Sequence, residues 1–316
     1  MKIAVLLSTY NGVRYMTEEI DSILAQKLDD GDELVLYIRD DGSSDTTREI
    51  IEKYASEHDN VRFANRENPC NVGVRRSFID LLEYAYRDSD SDFFAFADQD
   101  DVWLDDKLRA GMRMIKDAPV SENGALYYSN KTFVDEKLEL IKEENIQYYG
   151  DIVEALWTSL AFGCTMVFDR RLAGLCLRKK PTTTIYHDSW VYHTAKFTGS
   201  TVVFDQKSHI LYRQHGDNNV GIEGAKLYHE NVFYLIKRAI PVIFKKHPHS
   251  KQKYIEEVYT TFQDLVPAEN ARYAKDIIRY RFNPIAKLRL VHNRYMRKRS
   301  FKTRLIWAYM VWFNRI

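Results

Sequence analysis

Short apolar runs alternate with amphipathic stretches through the first hundred residues, and this alternation limits the possible folds more than any other feature of the chain. The runs 3–7, 34–38, 61–64 and 93–97 read as strands, while 16–25, 46–55 and 74–86 carry apolar residues at helical spacing. In the last of these, Phe78, Leu81, Leu82 and Ala85 share one face. Strands separated by helices need crossover connections, which predicts an α/β fold with a mostly parallel sheet covered by helices on both faces. Ligands of such sheets bind beyond the carboxyl ends of the strands. The segments 8–11, 40–43 and 98–101, each directly after a strand, are therefore where chemistry is expected.

Beyond residue 103 the same reading gives a helix over 105–115, strands near 125–129 and 165–168, a helix over 188–197 and strands over 201–204 and 209–213. From residue 226 the chain turns helical, through 237 and again over 251–265. The expected organisation is a catalytic sheet domain over 1–221 and a helical C-terminal extension over 222–316, a length that accommodates two units. With 45% hydrophobic residues the chain is far from a disordered composition. Its three cysteines, Cys70, Cys164 and Cys176, cannot all pair, which suits reduced thiols in a cytoplasmic protein. The run 3–7 is too short for a signal-peptide core, and no stretch reaches the roughly 18–20 apolar residues of a membrane span, 305–313 coming nearest.

The net charge of +1 conceals an asymmetry, because from Arg272 onward 13 basic residues face Asp276 alone, leaving +12 on the tail and −11 on the rest. Arg294, Arg297, Lys298, Arg299, Lys302 and Arg304 precede the aromatic-rich apolar run 305–313. A basic stretch joined to such a run has the character of a peripheral membrane anchor. An oligomer interface or a terminal helix packed on the catalytic domain explains it as well. Nucleic acid would account for the charge but not for the apolar run, so no nucleic-acid partner is expected.

Asp98-Gln99-Asp100-Asp101 places three carboxylates after an uncharged strand, an unfavourable arrangement unless a cation or hydrogen-bond donors compensate it. Mg²⁺ or Mn²⁺ suits such oxygens; a solvated turn capping the next helix is the plainer alternative. In Asp40-Asp41-Gly42-Ser43-Ser44-Asp45, Gly42 suits a positive φ and the serines or Asp45 suit a helix cap. An aspartate there could also accept the N3–H of a uracil or thymine. Ser8-Thr9-Tyr10-Asn11-Gly12 supplies backbone donors, hydroxyls and an aromatic face at the neighbouring strand end. The chain contains neither GxGxxG after its first strand nor GxxxxGK[ST], which disfavours dinucleotide and P-loop sites.

These motifs, with Asn71-Val72-Gly73 at a helix start, occur in an order and spacing that resembles the family-2 glycosyltransferases of the GT-A (Rossmann-like) fold. Asp98-Gln99-Asp100-Asp101-Val102-Trp103 and the stretch from Tyr212, Arg213, Gln214 and His215 to Asn219 are similar to the branch that makes bacterial surface polysaccharides by rhamnosyl transfer. The resemblance implies a metal-dependent inverting transferase with a dTDP- or UDP-sugar donor, dTDP-rhamnose among the candidates. It also implies a saccharide or lipid-linked acceptor and a place at the inner face of the cell membrane. Carried onto matching positions, Asp40 and Asp41 read the base, Thr9, Tyr10 and Asn11 line base and ribose, and Asp98 lies near the ribose or the metal. Asp98, Asp100 and His215 would hold the ion, and Asp188 would be the general base. His187 either orients Asp188 or contacts the acceptor, and Trp157 and Trp190 form an acceptor platform or belong to the core. Arg75 and Arg76 depart from the small residues commoner at that helix, and either approach phosphate or stay in solvent. A nucleotidyltransferase and a non-catalytic saccharide-binding or scaffold protein are the rival readings.

Overall fold

The computed structural model describes residues 1–146, 148, 150–152, 161–182, 185–216 and 250–315, and elements are numbered within these. Strands β1 (Lys2–Thr9), β2 (Glu33–Asp40), β3 (Val61–Phe63) and β4 (Phe93–Asp98) form a parallel block in the order β3-β2-β1-β4. Along β1 successive side chains serve opposite faces. Ile3, Val5 and Leu7 pack with Met16, Ile20 and Ile23 of α1 (Met16–Leu24) and Ile51 of α2 (Thr47–Glu57), whereas Ala4 and Leu6 pack with Phe78, Leu81, Leu82 and Ala85 of α3 (Val74–Asp88). Both faces are dry, which is why these strands read as unbroken apolar runs.

The second half continues the same sheet. Strand β8 (Val167–Asp169) runs antiparallel to β4 and also to β6 (Ala125–Val134), so it joins the parallel block to the rest. Strand β9 (Thr201–Arg213) is parallel to β6 and antiparallel to the two-residue β5 (Val102–Trp103), and β7 (Leu140–Glu143) borders β6. The sheet is thus mixed, with α4 (Lys107–Asp117), α5 (Arg170–Cys176) and α6 (His187–Thr198) among its helices. Where the sequence suggests two strands over 201–213 there is one, with the β6–β9 register shifting opposite Ser129 and Asn130. Strands β5 and β7 and helix α5 carry no sequence signal, being two, four and seven residues long.

Helices α7 (Ser250–Phe262), α8 (Ala268–Arg279), α9 (Pro284–Val291), α10 (Arg294–Arg297) and α11 (Phe301–Trp312) form the C-terminal helical region. Ile255, Phe262, Ile277, Leu290 and Trp307 join the core that holds Trp190 of α6 and Phe78 of α3. The expected boundary near Gly221 and the helix through 237 lie outside the described residues. Among the described residues no helix is long and apolar enough to cross a membrane.

Candidate active site

Register puts the three motif loops side by side, since Thr9 of β1 lies opposite Asp40 of β2 and Ser8 lies opposite Asp98 of β4. The loops are then tied together by side chains. Gln99 Oε1 accepts from Thr9 Oγ1 at 2.6 Å and from the Tyr10 N–H at 2.8 Å, and Gln99 Nε2 donates to Tyr10 O at 3.1 Å. A Cβ on Gly12 would stand 2.6 Å from both Gln99 Oε1 and Thr9 Oγ1, so glycine is what lets the loop close over this clasp. Asn11, at φ 48°, receives the Ser44 N–H on its side-chain oxygen and donates its own N–H to Ser43 Oγ. Thr9 is buried, Asn11 is exposed, and Tyr10 is 50% exposed, its ring open at the strand ends.

The structure corrects the expectation for Asp40. Its side chain is fully buried, accepts from Ser43 N and Oγ, and pairs with Arg48 at 3.3 Å, so these partners commit it to fastening the turn. Asp41 is also committed: Oδ1 accepts from Arg39 Nη1 at 2.6 Å and Val72 N at 2.9 Å, and Oδ2 accepts from Gly73 N at 2.9 Å. Its carboxylate thereby shapes the 71–73 loop, with one lone pair on Oδ2 left over.

At the end of β4 the acidic cluster is partly buried. Burial first, then the charges of Asp100 and Asp188, push the Asp98 carboxyl well above the ordinary carboxylate range. Asp100 Oδ2 faces His215 Nε2 at 2.7 Å, bringing together two atoms that could ligate one ion. Asp101 is fully buried; its Oδ1 accepts the Arg213 N–H at 3.1 Å and its Oδ2 has no hydrogen-bond partner. This donor set fits a hard divalent cation, which would relieve the repulsion that Lys107 only partly offsets. Cys164 Sγ lies within 4.8 Å of Asp98 and Asp101, yet burial and Asp101 raise that thiol, and a neutral thiol is a poor partner for Mg²⁺.

Two cations support the cluster from behind; Arg213 stood in the histidine motif without a role, and Lys107 in no motif. Arg213, 1% exposed, donates Nε to Asp100 O at 2.9 Å and Nη1 to Glu136 O at 2.7 Å, pairs with Glu18, and lies 4.5 Å from the Tyr15 ring centroid. It locks the Asp100 turn to β9 and α1. Lys107 Nζ, fully buried 3.3 Å from the Trp103 ring centroid, is held down to about 8 by desolvation against the attraction of Cys164, Glu19 and Asp101.

Asp188 sits in the first turn of α6, and burial raises its carboxyl to about 6 although the Ser189 and Gly163 N–H groups favour its ionised form. Its charge acts on Asp98, so the two carboxylates lie near one another. His187 is corrected: it is 6% exposed, stacked on Phe78 with centroids 3.8 Å apart and edge-on to Phe96, and burial lowers it to about 3. Its ring is thus packed within an aromatic cage rather than turned to solvent. Trp190 is corrected as well, being fully buried, donating its indole N–H to Cys176 O at 3.0 Å and packing near Phe262. Trp157 and the 217–219 part of the histidine motif lie outside the described residues. The aromatic that α6 does present is Tyr186, 39% exposed, with the Arg75 guanidinium 4.5 Å from its ring centroid; Arg76 pairs with Asp80.

The family described as "Glycosyl transferase family 2" matches residues 4–174, more than half of the chain. A dTDP-rhamnosyl transferase, RfbG, of Shigella flexneri is 26% identical over 223 residues, covering 68% of this chain and 73% of that protein. Among solved structures, TarS 1–349 of S. aureus in complex with UDP-GlcNAc superposes with a TM-score of 0.57 at 13% identity, covering 98% of this chain and 79% of that one. The mannosyltransferase PcManGT of Pyrobaculum calidifontis, in complex with GDP-Man and Mn²⁺, gives 0.51 at 18% identity, with 99% and 84% covered. Both share the fold of this chain, a GT-A-like mixed sheet flanked by helices.

Proposed function

This chain belongs to glycosyl transferase family 2 and is an enzyme acting on a nucleotide-sugar donor, and we propose that it transfers L-rhamnose from dTDP-rhamnose, with inversion, to a saccharide or lipid-linked saccharide acceptor. The product would serve bacterial surface polysaccharide synthesis at the inner face of the cell membrane. One arrangement carries this reading: Asp98 lies within the electrostatic reach of both Asp100 at its own strand end and Asp188 on α6. That combination supplies a diphosphate end and a base end in one site.

Asp98, Asp100 and His215 are the residues that would hold Mg²⁺ or Mn²⁺. When bound, the ion neutralises charge on the leaving diphosphate. Thr9, Tyr10 and Asn11 line the nucleoside, and Asp41 offers its remaining lone pair to the N3–H of the base. Asp188 takes the proton of the acceptor hydroxyl as that oxygen bonds to the anomeric carbon. The bond from that carbon to the diphosphate oxygen breaks on the opposite side, its electron pair leaving with the nucleoside diphosphate. No residue has to protonate the leaving group, unlike in two-carboxylate hydrolases. Tyr186, with Arg75 against it, takes the place of the buried Trp190 as a surface for the acceptor.

A panel of dTDP-, UDP-, GDP- and CMP-sugars, each with and without Mn²⁺, tests the donor by thermal shift, since a ligand bound only by the native state raises Tm. A metal-dependent rise with dTDP-rhamnose is expected. Asp100→Ala should abolish that rise and transfer together, as should chelation of the metal. A rise confined to GDP- or CMP-sugars would reject the donor, and full transfer by Asp100→Ala would reject the ion site.

A further inference from the structure

Helix α11 is apolar on both sides. Trp307 and Val311 are buried, and Trp307 donates its indole N–H to Leu290 O at 2.7 Å, which fixes that side against α9. Phe301, Leu305 and Trp312, at helical spacing on another side, are 72%, 55% and 46% exposed. Helix α9 repeats the division, with Ala286 and Leu290 inward and Ile285 and Leu288 outward, and Phe282 just before it is 91% exposed. Of the 15 large hydrophobic residues exposed among the described residues, seven fall within 282–313. Scattered exposed apolar side chains need no explanation, but a concentration on two adjoining helices does.

The charges around this surface divide in the same way. Arg289, Arg294 and Arg299 are paired with Asp276, Glu269 and Asp151. Arg297, Lys298, Lys302 and Arg304, at the junction of α10 with the exposed side of α11, have no carboxylate partner among the described residues. Their charge is therefore available to an external anion. A second copy docked through the same surface would set these cations against their own kind. A nucleic acid would meet the charge but leave the apolar side chains in water.

We propose that α9 and α11 dock on an anionic lipid leaflet, with Phe301, Leu305 and Trp312 entering the headgroup layer and Lys298, Lys302 and Arg304 meeting lipid phosphates. This rests on the reading that the enzyme works at the inner membrane face. It adds the surface and the lipid charge. The test is flotation of the full chain with vesicles of phosphatidylcholine and phosphatidylglycerol, against phosphatidylcholine alone, at low and high salt. Binding to the anionic vesicles is expected to be at least about tenfold stronger and to fall with salt. Leu305→Glu with Trp312→Glu, and separately Lys298→Glu with Lys302→Glu, should each lower it about tenfold or more. Release of nucleoside diphosphate from the donor in solution should stay at the parental rate, which shows that the variants are folded. Equal binding to both vesicles, binding to neither, or parental binding by both variants overturns the proposal. So does a dimer that Leu305→Glu with Trp312→Glu dissociates while vesicles are ignored. Vesicle binding without any donor hydrolysis or thermal shift would leave the lipid surface standing and remove the proposed function instead.

Discussion

Burial holds the Asp188 carboxyl at about 6, and this value sets both an activity and a stability expectation. As a base it must be ionised, so kcat/KM should fall about tenfold per pH unit below that value, as a pH–rate profile would reveal. Its native pKa exceeds the unfolded one, so the stability present under acid is lost as pH rises through about 6. Asp188→Asn should therefore lower transfer by about 10²–10⁴-fold, while raising Tm at neutral pH by about 2–4 °C in a melting experiment. A variant that transfers normally would disprove the role. The places of Asp98 and Asp100 at the end of β4 and of Asp188 in the first turn of α6 were legible, because each follows a strand or opens a helix. Gln99 clasping the 9–10 loop, Arg213 and Lys107 were not, since their partners come from distant parts of the chain. The commitment of Asp41 to Arg39, Val72 and Gly73 was not read from the sequence, because two of its three partners come from the 71–73 loop.

At the scale of the element, strand ends rather than whole strands decide the site. The clasp between β1 and β4 depends on Gly12, and Gly12→Ala, with a Cβ 2.6 Å from two oxygens, should cost about 1–3 kcal/mol. Because the clash falls on Gln99 and Thr9, donor affinity should drop as well, which calorimetric titration with the donor nucleotide would measure. Unchanged donor affinity would show that the clasp is only structural. Periodicity found every element of the parallel block because those strands are buried on both faces and their helices are amphipathic. It failed for Trp190 because α6 is buried on most sides, and an indole there looks the same in sequence as one facing a ligand.

Over the whole molecule, the charge asymmetry was plain from composition, but its division into paired and unpaired cations was not. That division depends on Asp151 and Glu269 reaching Arg299 and Arg294 from other elements. The C-terminal helices share the core that holds α3 and α6, so the proposed lipid-facing surface and the catalytic strand ends belong to one packed body.

Strand β8, only three residues long, hydrogen-bonds to β4 on one side and β6 on the other, making one sheet of the parallel block and the strands that follow it. A seam of this kind ties the two parts together through backbone hydrogen bonds among the described residues. Under the proposed function, release of the spent nucleotide is expected to depend on short loop segments such as 10–13 and 43–45. Hydrogen–deuterium exchange with and without the nucleoside diphosphate should slow in those loops alone, while the amides of Phe94 to Ala97 stay protected throughout. Loosening of the β4–β8 amides on product binding would instead mark the seam as the moving part.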